Sequence, residues 1–327
     1  MGRRFDPDRA HMKIRFRDFP HDHSRLVLRR LIEMVYQCDF EETNAVNERV
    51  DVEITGPYSG DSDSFKTPTL TRALRGAVSR FSPGAHLTIP RLVTGVTPNP
   101  KAKVNIWYTG ENQRPPYGNW NAYLSFDSKF PSHKNFYLPL WLLTSSDFII
   151  PLESSYWGRK NPTLEELITP REISKRKKKF ACAFFGKTYR MRLHAINALK
   201  ELGAVDVFGQ GSRRLVKNPS LIAREYKFAI CFENDLYPGY VTEKPVEAYL
   251  AGTIPIYYGI DSESYLNPKA MFNLFDYRSE HEWISRIKEV SADHELYTEM
   301  YKEPLLLKRP SLQKLVVSLR EAILCEE

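Results

Sequence analysis

The sequence predicts an α/β protein made of two parallel-sheet domains. Three observations carry that prediction. Short apolar strands alternate with amphipathic helices along much of the 327 residues, the pattern of parallel sheets covered by helices. The alternation stops between about Glu153 and Lys179, where charge replaces apolar periodicity, and restarts at Phe180. The chain is also long enough for each half to bury its own core. The expected layout is a first α/β domain over residues 1–155, a basic linker over 156–179, a second α/β domain over 180–305 and a C-terminal amphipathic helix within 306–327.

In the first half, Met12 to Phe16 reads as a strand, and His23 to Tyr36 as a helix with Leu28, Leu31, Ile32 and Val35 on one face. Val50 to Thr55 alternates apolar and polar residues and runs into the turn Gly56-Pro57-Tyr58-Ser59-Gly60. Val104 to Tyr108 is a strand followed at once by Thr109-Gly110-Glu111-Asn112. Ala122 to Phe126 and Phe136 to Leu143 complete the strands of this half.

The second half repeats the alternation. Strands are expected at Phe180–Phe185, Val205–Phe208, Lys227–Phe232, Ile254–Tyr258 and Met271–Phe275. Helices are expected at Arg190–Leu202, Ser220–Tyr226, Glu243–Leu250 and Glu280–Val290. This is a doubly wound layout, whose ligand sits outside the carboxyl ends of the strands.

Composition narrows the partners. The net charge is +7 and the pI about 9.0, which suits nucleic acid, an anionic membrane or a phosphorylated small molecule. The densest run, Lys175 to Lys179, reads as a solvated linker. No zinc-finger spacing or aromatic RNA-binding motif accompanies it, so no nucleic-acid partner is expected. The four cysteines, Cys38, Cys182, Cys231 and Cys325, form no CxxC pair, and two lie in buried-strand patterns. Free thiols in a reducing compartment fit them. The first residues are charged and lack an apolar core, and no apolar stretch approaches about 18–20 residues. The Asn-x-Ser/Thr matches at Asn161 and Asn218 both carry Pro in the middle. A cytoplasmic protein is the expectation. Leu312 to Leu324 presents one apolar helical face, expected to pack on the body, with a peripheral membrane contact as the alternative.

Two clusters suggest metal only weakly. Asp61-Ser62-Asp63 sits in a polar loop rather than after a strand of the nucleotide-type domain. In His21-Asp22-His23, Asp22 or Ser24 is better read as a helix cap. No metal site is expected.

Residues 227–259 are the most informative stretch. A buried strand ends in Glu233-Asn234, a loop with Pro238 and Gly239 follows, and Thr242 is placed to cap a helix beginning Glu243-Lys244-Pro245. A helix N-terminus offers free N–H groups and positive potential, which suits a phosphate. Lys244 is unfavourable against that dipole unless an anion binds there, and Glu243 is placed to accept hydrogen bonds from ribose hydroxyls.

The same stretch resembles the α1,3/α1,4-fucosyltransferase signature (glycosyltransferase family 10, bacterial type). The matching residues are Phe232-Glu233-Asn234, then Tyr240-Val241-Thr242-Glu243-Lys244, then Ile254-Pro255-Ile256-Tyr257-Tyr258-Gly259. Tyr108-Thr109-Gly110-Glu111-Asn112, with Phe126-Asp127 beyond it, resembles a second family segment. Val205-Asp206-Val207-Phe208-Gly209 resembles a third, looser one.

The resemblance implies a GT-B-type fold of two facing Rossmann-like halves, the first binding the acceptor and the second GDP-fucose. It implies inverting transfer of fucose to a glycan hydroxyl, an α1,3 linkage, and no cofactor beyond the GDP-fucose donor. Carried over by position, Glu111 is the catalytic base, with Tyr108 and Asn112 beside it. Arg192 and Lys244 contact the diphosphate, Glu243 the ribose, Tyr240 and Asn234 line the donor site, and Glu233 steadies fucose or its developing positive charge. The sequence departs from the pattern at Pro245 and before Arg192, so Arg190 or Lys187 could share the role of Arg192. Two alternatives remain open at this point: a transferase using another GDP-linked sugar, and a basic nucleic-acid- or membrane-binding protein on a transferase fold.

Overall fold

The computed structural model describes residues 12–19, 22–56, 91–92, 95–111, 113–146, 161–172, 177–186, 189–209, 212 and 214–324. These residues fall into two compact units, one taking the chain as far as Pro139 and again from Ser311 onward, the other running from Leu140 to Pro310.

The first unit is built on a parallel sheet. Its strands are β1 (Lys13–Arg17), β2 (Glu41–Glu42), β3 (Val50–Thr55), β5 (Ala102–Tyr108), β7 (Ala122–Ser125) and β8 (Asn135–Tyr137), in the order β2-β1-β3-β5-β7-β8. A short separate pair joins β4 (Arg91–Leu92) to β6 (Gln113–Arg114), also in parallel. Ile14 pairs with Val52 and Ile54 with Ile106, all fully buried. Five of the six residues of β3 are buried, as expected of a strand covered on both faces. The one buried acid in β3, Glu53, receives Arg15 Nε at 2.7 Å and Asn99 Nδ2 at 2.7 Å, with Arg17 Nε at 3.3 Å.

The helix α1 (Asp22–Tyr36) buries Val27, Leu28, Leu31, Ile32 and Val35. The last helix of the chain, Leu312–Leu324, packs on α1 and β7 and buries Leu319 and Ile323. Its Arg320 donates from Nε to Val35 O at 2.7 Å and from Nη2 to Met34 O at 2.8 Å. Those carbonyls belong to the last turn of α1, where no intrahelical partner exists and a cation is favoured. The helix therefore groups with the first unit, while residues 306–310 group with the second.

The second unit carries β9 (Lys179–Phe184), β10 (Val205–Phe208), β11 (Tyr226–Phe232), β12 (Ile254–Tyr258) and β13 (Phe272–Asn273), in the order β10-β9-β11-β12-β13 and parallel throughout. Between them run α4 (Arg190–Leu199), α5 (Pro219–Ala223) and α6 (Lys244–Leu250); α7 (Glu280–Ala292) and α8 (His294–Lys302) follow β13, and α2 (Leu140–Leu143) and α3 (Leu164–Ile168) precede the sheet. The helix at Leu312–Leu324 is α9. The core packs Ile196 and Leu199 of α4 and Ile287 and Val290 of α7 with Phe228, Ile230, Ile254 and Ile256 of the sheet.

The sequence placed most elements within a few residues, and the differences have local causes. Phe136 to Leu143 is not one strand. Pro139 has no N–H for a ladder, and β8 gives way to α2. Met271 to Phe275 is a two-residue strand followed by a 3₁₀ turn, because the Asn273 side chain accepts the Phe275 N–H. The segment Ser220–Tyr226 divides: α5 ends at Ala223 and Tyr226 opens β11. The helices α3 and α8 were missed although their caps are legible. Thr163 and Glu166 form a capping box, and Asp293 accepts from Glu295 N and Leu296 N.

The second unit begins at Leu140, before the boundary expected at residues 155 and 156. At the described end of the basic run Lys178 and Lys179 are exposed, as a solvated run requires, but the segment is not a linker throughout. Lys179 starts β9, and Lys177 is half-buried, donating to Arg224 O at 2.7 Å. Just ahead of it, Arg171 lies 3.9 Å from the ring centres of both Tyr249 and Tyr301, and donates to Tyr301 O and Thr253 O at 2.7 Å each. This tail thereby fastens the start of the second unit to α6 and α8.

Two predictions follow from these contacts. Arg320→Ala removes both bonds to the end of α1 and is expected to cost about 1–2 kcal/mol, read as a lower urea midpoint at unchanged slope. Burial, reinforced by Arg171 and Arg224, pulls the Lys177 ammonium down to about 8 from 10.5. The unfolded chain therefore binds more protons between those values, and stability rises with pH through that window. The melting temperature of Lys177→Met relative to the parent is expected to fall between about pH 7 and about pH 10; parallel curves would exclude the effect.

Candidate active site

The strand order of the second unit reverses between β9 and β11, and a doubly wound sheet opens its ligand crevice at that point, beyond the carboxyl ends. The chain leaves β9 at Phe184 and enters α4, whose third residue is Arg192. Its side chain is buried at 5% exposure and donates from Nη2 to Phe232 O at 2.7 Å and Asn234 Oδ1 at 3.0 Å. The rings of Tyr189 and Phe185 lie 5.0 and 5.6 Å from the guanidinium carbon. Burial pulls the Arg192 pKa down, opposed by Tyr189 and Glu233. Arg192 thus ties the first turn of α4 to the end of β11. Arg190 is exposed on the same helix, and Lys187 lies outside the described residues.

The residue after β11 is Glu233, and its carboxylate is fully enclosed. Oε1 accepts from Thr242 N at 2.8 Å and from the Tyr257 hydroxyl at 3.1 Å. Oε2 accepts from the Thr242 hydroxyl at 2.7 Å and from Lys244 Nζ at 3.2 Å. Both oxygens are engaged by protein donors, as a buried charge requires. This arrangement suits holding the loop more than contacting a sugar.

The same network revises the helix start. Thr242 stands one residue before the N-cap position; its hydroxyl donates to Glu233 and accepts the Lys244 N–H only at 3.5 Å. Glu243 occupies the N-cap position in a helical conformation with no side-chain cap bond. Lys244 Nζ donates to the Thr242 hydroxyl at 2.8 Å and stands 3.7 Å from Glu243 Oε1. Burial pulls the Lys244 ammonium down, but Glu233 and Glu243 outweigh it and hold it above the usual lysine range. Its side chain keeps 21% exposure, while the ammonium is fixed in place among Glu233, Glu243 and the Thr242 hydroxyl.

The loop between Asn234 and Glu243 is fixed at its middle as well. Gly239 turns it with φ of 85°, a conformation open to glycine without steric cost. Gly239 N then donates to Ile260 O at 2.9 Å. Tyr240 and Asp235 are buried at 2% and 3% exposure. Tyr240 therefore offers little surface, unlike the half-buried Asn234 and Glu243.

In the first unit, Glu111 follows the carboxyl end of β5. Its N–H is held by the Thr109 hydroxyl at 3.2 Å, and its carbonyl accepts Gln113 N at 2.6 Å and the Thr109 hydroxyl at 2.9 Å. The backbone at Glu111 is therefore tightly turned, with the residue half-buried. Tyr108 is buried and stacks on Phe19, beyond the end of β1, at 5.8 Å. Asp127, after β7, is enclosed and accepts Arg114 Nε at 2.6 Å. Asn112 lies outside the described residues.

The structure thus gathers Arg192, Asn234, Glu233, Glu243 and Lys244 beyond the carboxyl end of β11 in the second unit, and places Tyr108 and Glu111 at the carboxyl end of β5 in the first. Sequence reasoning missed Tyr257, which donates to Glu233, and Asn273, whose amide exchanges hydrogen bonds with Gly259 N and O at 3.4 and 3.0 Å. The Ile254–Gly259 segment was the available signal for Tyr257: it was matched to the family signature, but Tyr257 was given no role of its own. Among the described residues no group of three or more His, Cys, Asp or Glu is placed to hold a metal. Asp61, Asp63 and His21 lie outside them, and nothing is described of the Asp22 and His23 side chains.

Residues 174–307 match the family model for the C-terminal domain of glycosyltransferase family 10 (fucosyltransferase). The chain carries a family 10 glycosyltransferase domain. That domain spans the whole second sheet and includes Arg192 and Lys244. The chain is 29% identical over 225 residues to an α-(1,3)-fucosyltransferase of Helicobacter pylori, covering 61% of this chain and 47% of that protein. It is 32% identical over 111 residues to the human 4-galactosyl-N-acetylglucosaminide 3-α-L-fucosyltransferase 9, covering 32% and 31%. The chain thus spans less than half the length of these relatives. Crystal structures of an α1,3-fucosyltransferase share its fold, with a TM-score of 0.66 at 20% identity over 99% of this chain and 93% of theirs. The form with GDP-fucose gives 0.65 at 19% identity, over 100% and 95%. The fold is of the GT-B type.

Arg192→Met is expected to destabilise the family 10 domain by about 1–3 kcal/mol, because it leaves the Phe232 carbonyl and the Asn234 amide oxygen without this donor. Urea unfolding checks this, and a change within error would remove Arg192 from its bridging role.

Proposed function

We propose that this protein transfers L-fucose from GDP-fucose to a hydroxyl of a glycan acceptor with inversion, forming an α1,3 linkage. The observation that carries this reading is the pairing of Arg192 and Lys244 at the switch point of a family 10 domain. A leaving GDP gains negative charge as the glycosidic bond breaks, and fixed positive groups aimed at it lower the barrier; removing one such group typically costs about 2.7–4 kcal/mol. Relatives named as α1,3-fucosyltransferases and a structural neighbour solved with GDP-fucose support the choice of donor and linkage.

In this reading Arg192 and Lys244 hold the diphosphate and Glu243 the ribose, with Asn234 and Tyr240 completing the donor pocket. Glu111, with Tyr108 and Asn112 beside it, takes the acceptor hydroxyl proton as the oxygen attacks the anomeric carbon. The new C–O bond forms as the bond to the β-phosphate oxygen breaks, and GDP leaves with the electron pair. The buried thiols Cys182 and Cys231, which bond only to the carbonyls of Phe228 and Ile256 among the described contacts, fit a reducing compartment such as the cytoplasm.

The reading is tested by supplying GDP-fucose with lactose or N-acetyllactosamine and following GDP release and fucosylated product. Competition with GDP-mannose separates fucose from other GDP-linked sugars. Glu111→Gln is expected to abolish transfer while GDP still binds, and Lys244→Ala to weaken GDP binding at least tenfold. Near-normal turnover of Glu111→Gln would remove Glu111 as the base, and no GDP binding by the parent chain would overturn the donor assignment.

A further inference from the structure

We infer that Tyr257 and Glu233 are positioning residues for nucleotide binding: from within the sheet they hold the Lys244 ammonium and the loop from Asn234 to Glu243 in the receptive arrangement, without touching the nucleotide. The inference rests on the proposed role of Lys244 at the diphosphate.

The geometry carries it in three steps. First, the Tyr257 side chain is fully buried on β12 and its hydroxyl reaches Glu233 Oε1 at 3.1 Å, so it is closed off from any ligand. Second, Glu233 joins that hydroxyl to both the backbone and side chain of Thr242 and to Lys244 Nζ. A displacement of the carboxylate therefore moves the loop end and the ammonium together. Third, the site of Tyr257 is itself built with little tolerance. A Cβ on Gly259 would overlap the Tyr257 hydroxyl, and the Gly259 backbone is held by both ends of the Asn273 amide. A tyrosine and a glycine two residues apart at the end of β12 thus have a joint purpose that strand propensity does not supply.

The charge arrangement points the same way. Glu233 and Glu243 face the Lys244 ammonium, and Arg192 is the nearby cation. Burial pulls the ammonium down and Arg192 adds to that, while the two carboxylates hold it up. Without Glu233, only Glu243 opposes burial, and Lys244 loses its proton at lower pH.

The test is GDP binding by calorimetry on the full chain at several pH values between about 6.5 and 8.5, with melting temperatures measured alongside. Glu233→Gln is expected to bind GDP about tenfold more weakly near neutrality, with the deficit growing as pH rises. Tyr257→Phe, which keeps ring and volume, is expected to lose about threefold in affinity while remaining folded, with a lowered melting temperature because Glu233 Oε1 loses a donor. Gly259→Ala should reproduce that loss by displacing the hydroxyl. A purely structural role would lower the melting temperature and leave the affinity of the folded protein intact. If Glu233→Gln does not fold, Tyr257→Phe decides. A parent chain that binds GDP beside variants that bind it equally well at every pH overturns the positioning role alone. A parent chain that does not bind GDP overturns the nucleotide reading and this inference with it.

Discussion

An ionised carboxylate sealed inside a protein must be matched by donors, or it carries a penalty of several kcal/mol. Glu233 is such a group, and much of the candidate site is the consequence of satisfying it. Its position directly after β11 fixes where the donors must come from. The loop has to return Thr242 to it, β12 has to present Tyr257, and α6 has to begin with a lysine pointing back toward the strand end. The loop path, the unusual helix start and the placement of the ammonium are one solution to one electrostatic requirement.

Strand order supplies the second constraint. Because β9 and β11 are neighbours, a side chain in the first turn of α4 can meet a carbonyl 40 residues further along the chain, as Arg192 does with Phe232. The switch point of the sheet is therefore also the point where the first turn of α4 and the end of β11 are cross-linked by a guanidinium. An arginine suits that role, since its planar fork serves several acceptors and its charge persists despite burial. The bridge sets Arg192 beside the Glu233–Lys244 pair, so the cations of the crevice are positioned by the fold rather than left mobile.

The overall basic charge of the chain is a poor guide to where charge acts. At the crevice, Arg192 and Lys244 are accompanied by Glu233 and Glu243. Arg171 is held by carbonyls and tyrosine rings, and Lys177 by a carbonyl. Arg15 and Arg17 meet Glu53 inside the first unit. Many of these cations are structural. What distinguishes Lys244 is its place: it is held by carboxylates at the start of α6, beyond the carboxyl end of β11, with part of its side chain exposed.

Local order along the chain was enough to determine the alternation of strands and helices, the α/β class, the strand–loop–helix from Lys227 to Gly259 and the residues grouped around it. These are legible because apolar periodicity, Pro and Gly placement, and motif spacing act over short distances. The limits lie where long-range contacts decide. Thr242 looks like a helix cap in sequence because a cap needs only its own neighbours, but in the fold its hydroxyl also donates to the buried carboxylate of Glu233 and accepts from Lys244 Nζ, and the helix N–H is left at 3.5 Å. Arg192 could not be told from Arg190 by spacing; only the adjacency of β9 and β11 buries one and leaves the other exposed. Tyr257 stands in the signature with no role attached, and Asn273 reads as an ordinary strand residue, until the sheet brings them to Glu233 and Gly259. The last helix was visible as an amphipathic segment, but its grouping with the first unit depends on Arg320 finding the end of α1. The sequence by itself determined which residue types stand ready for the chemistry; the tertiary structure decided which of them are fixed in place, because hydrogen bonds to buried charges are set by strand order and not by distance along the chain.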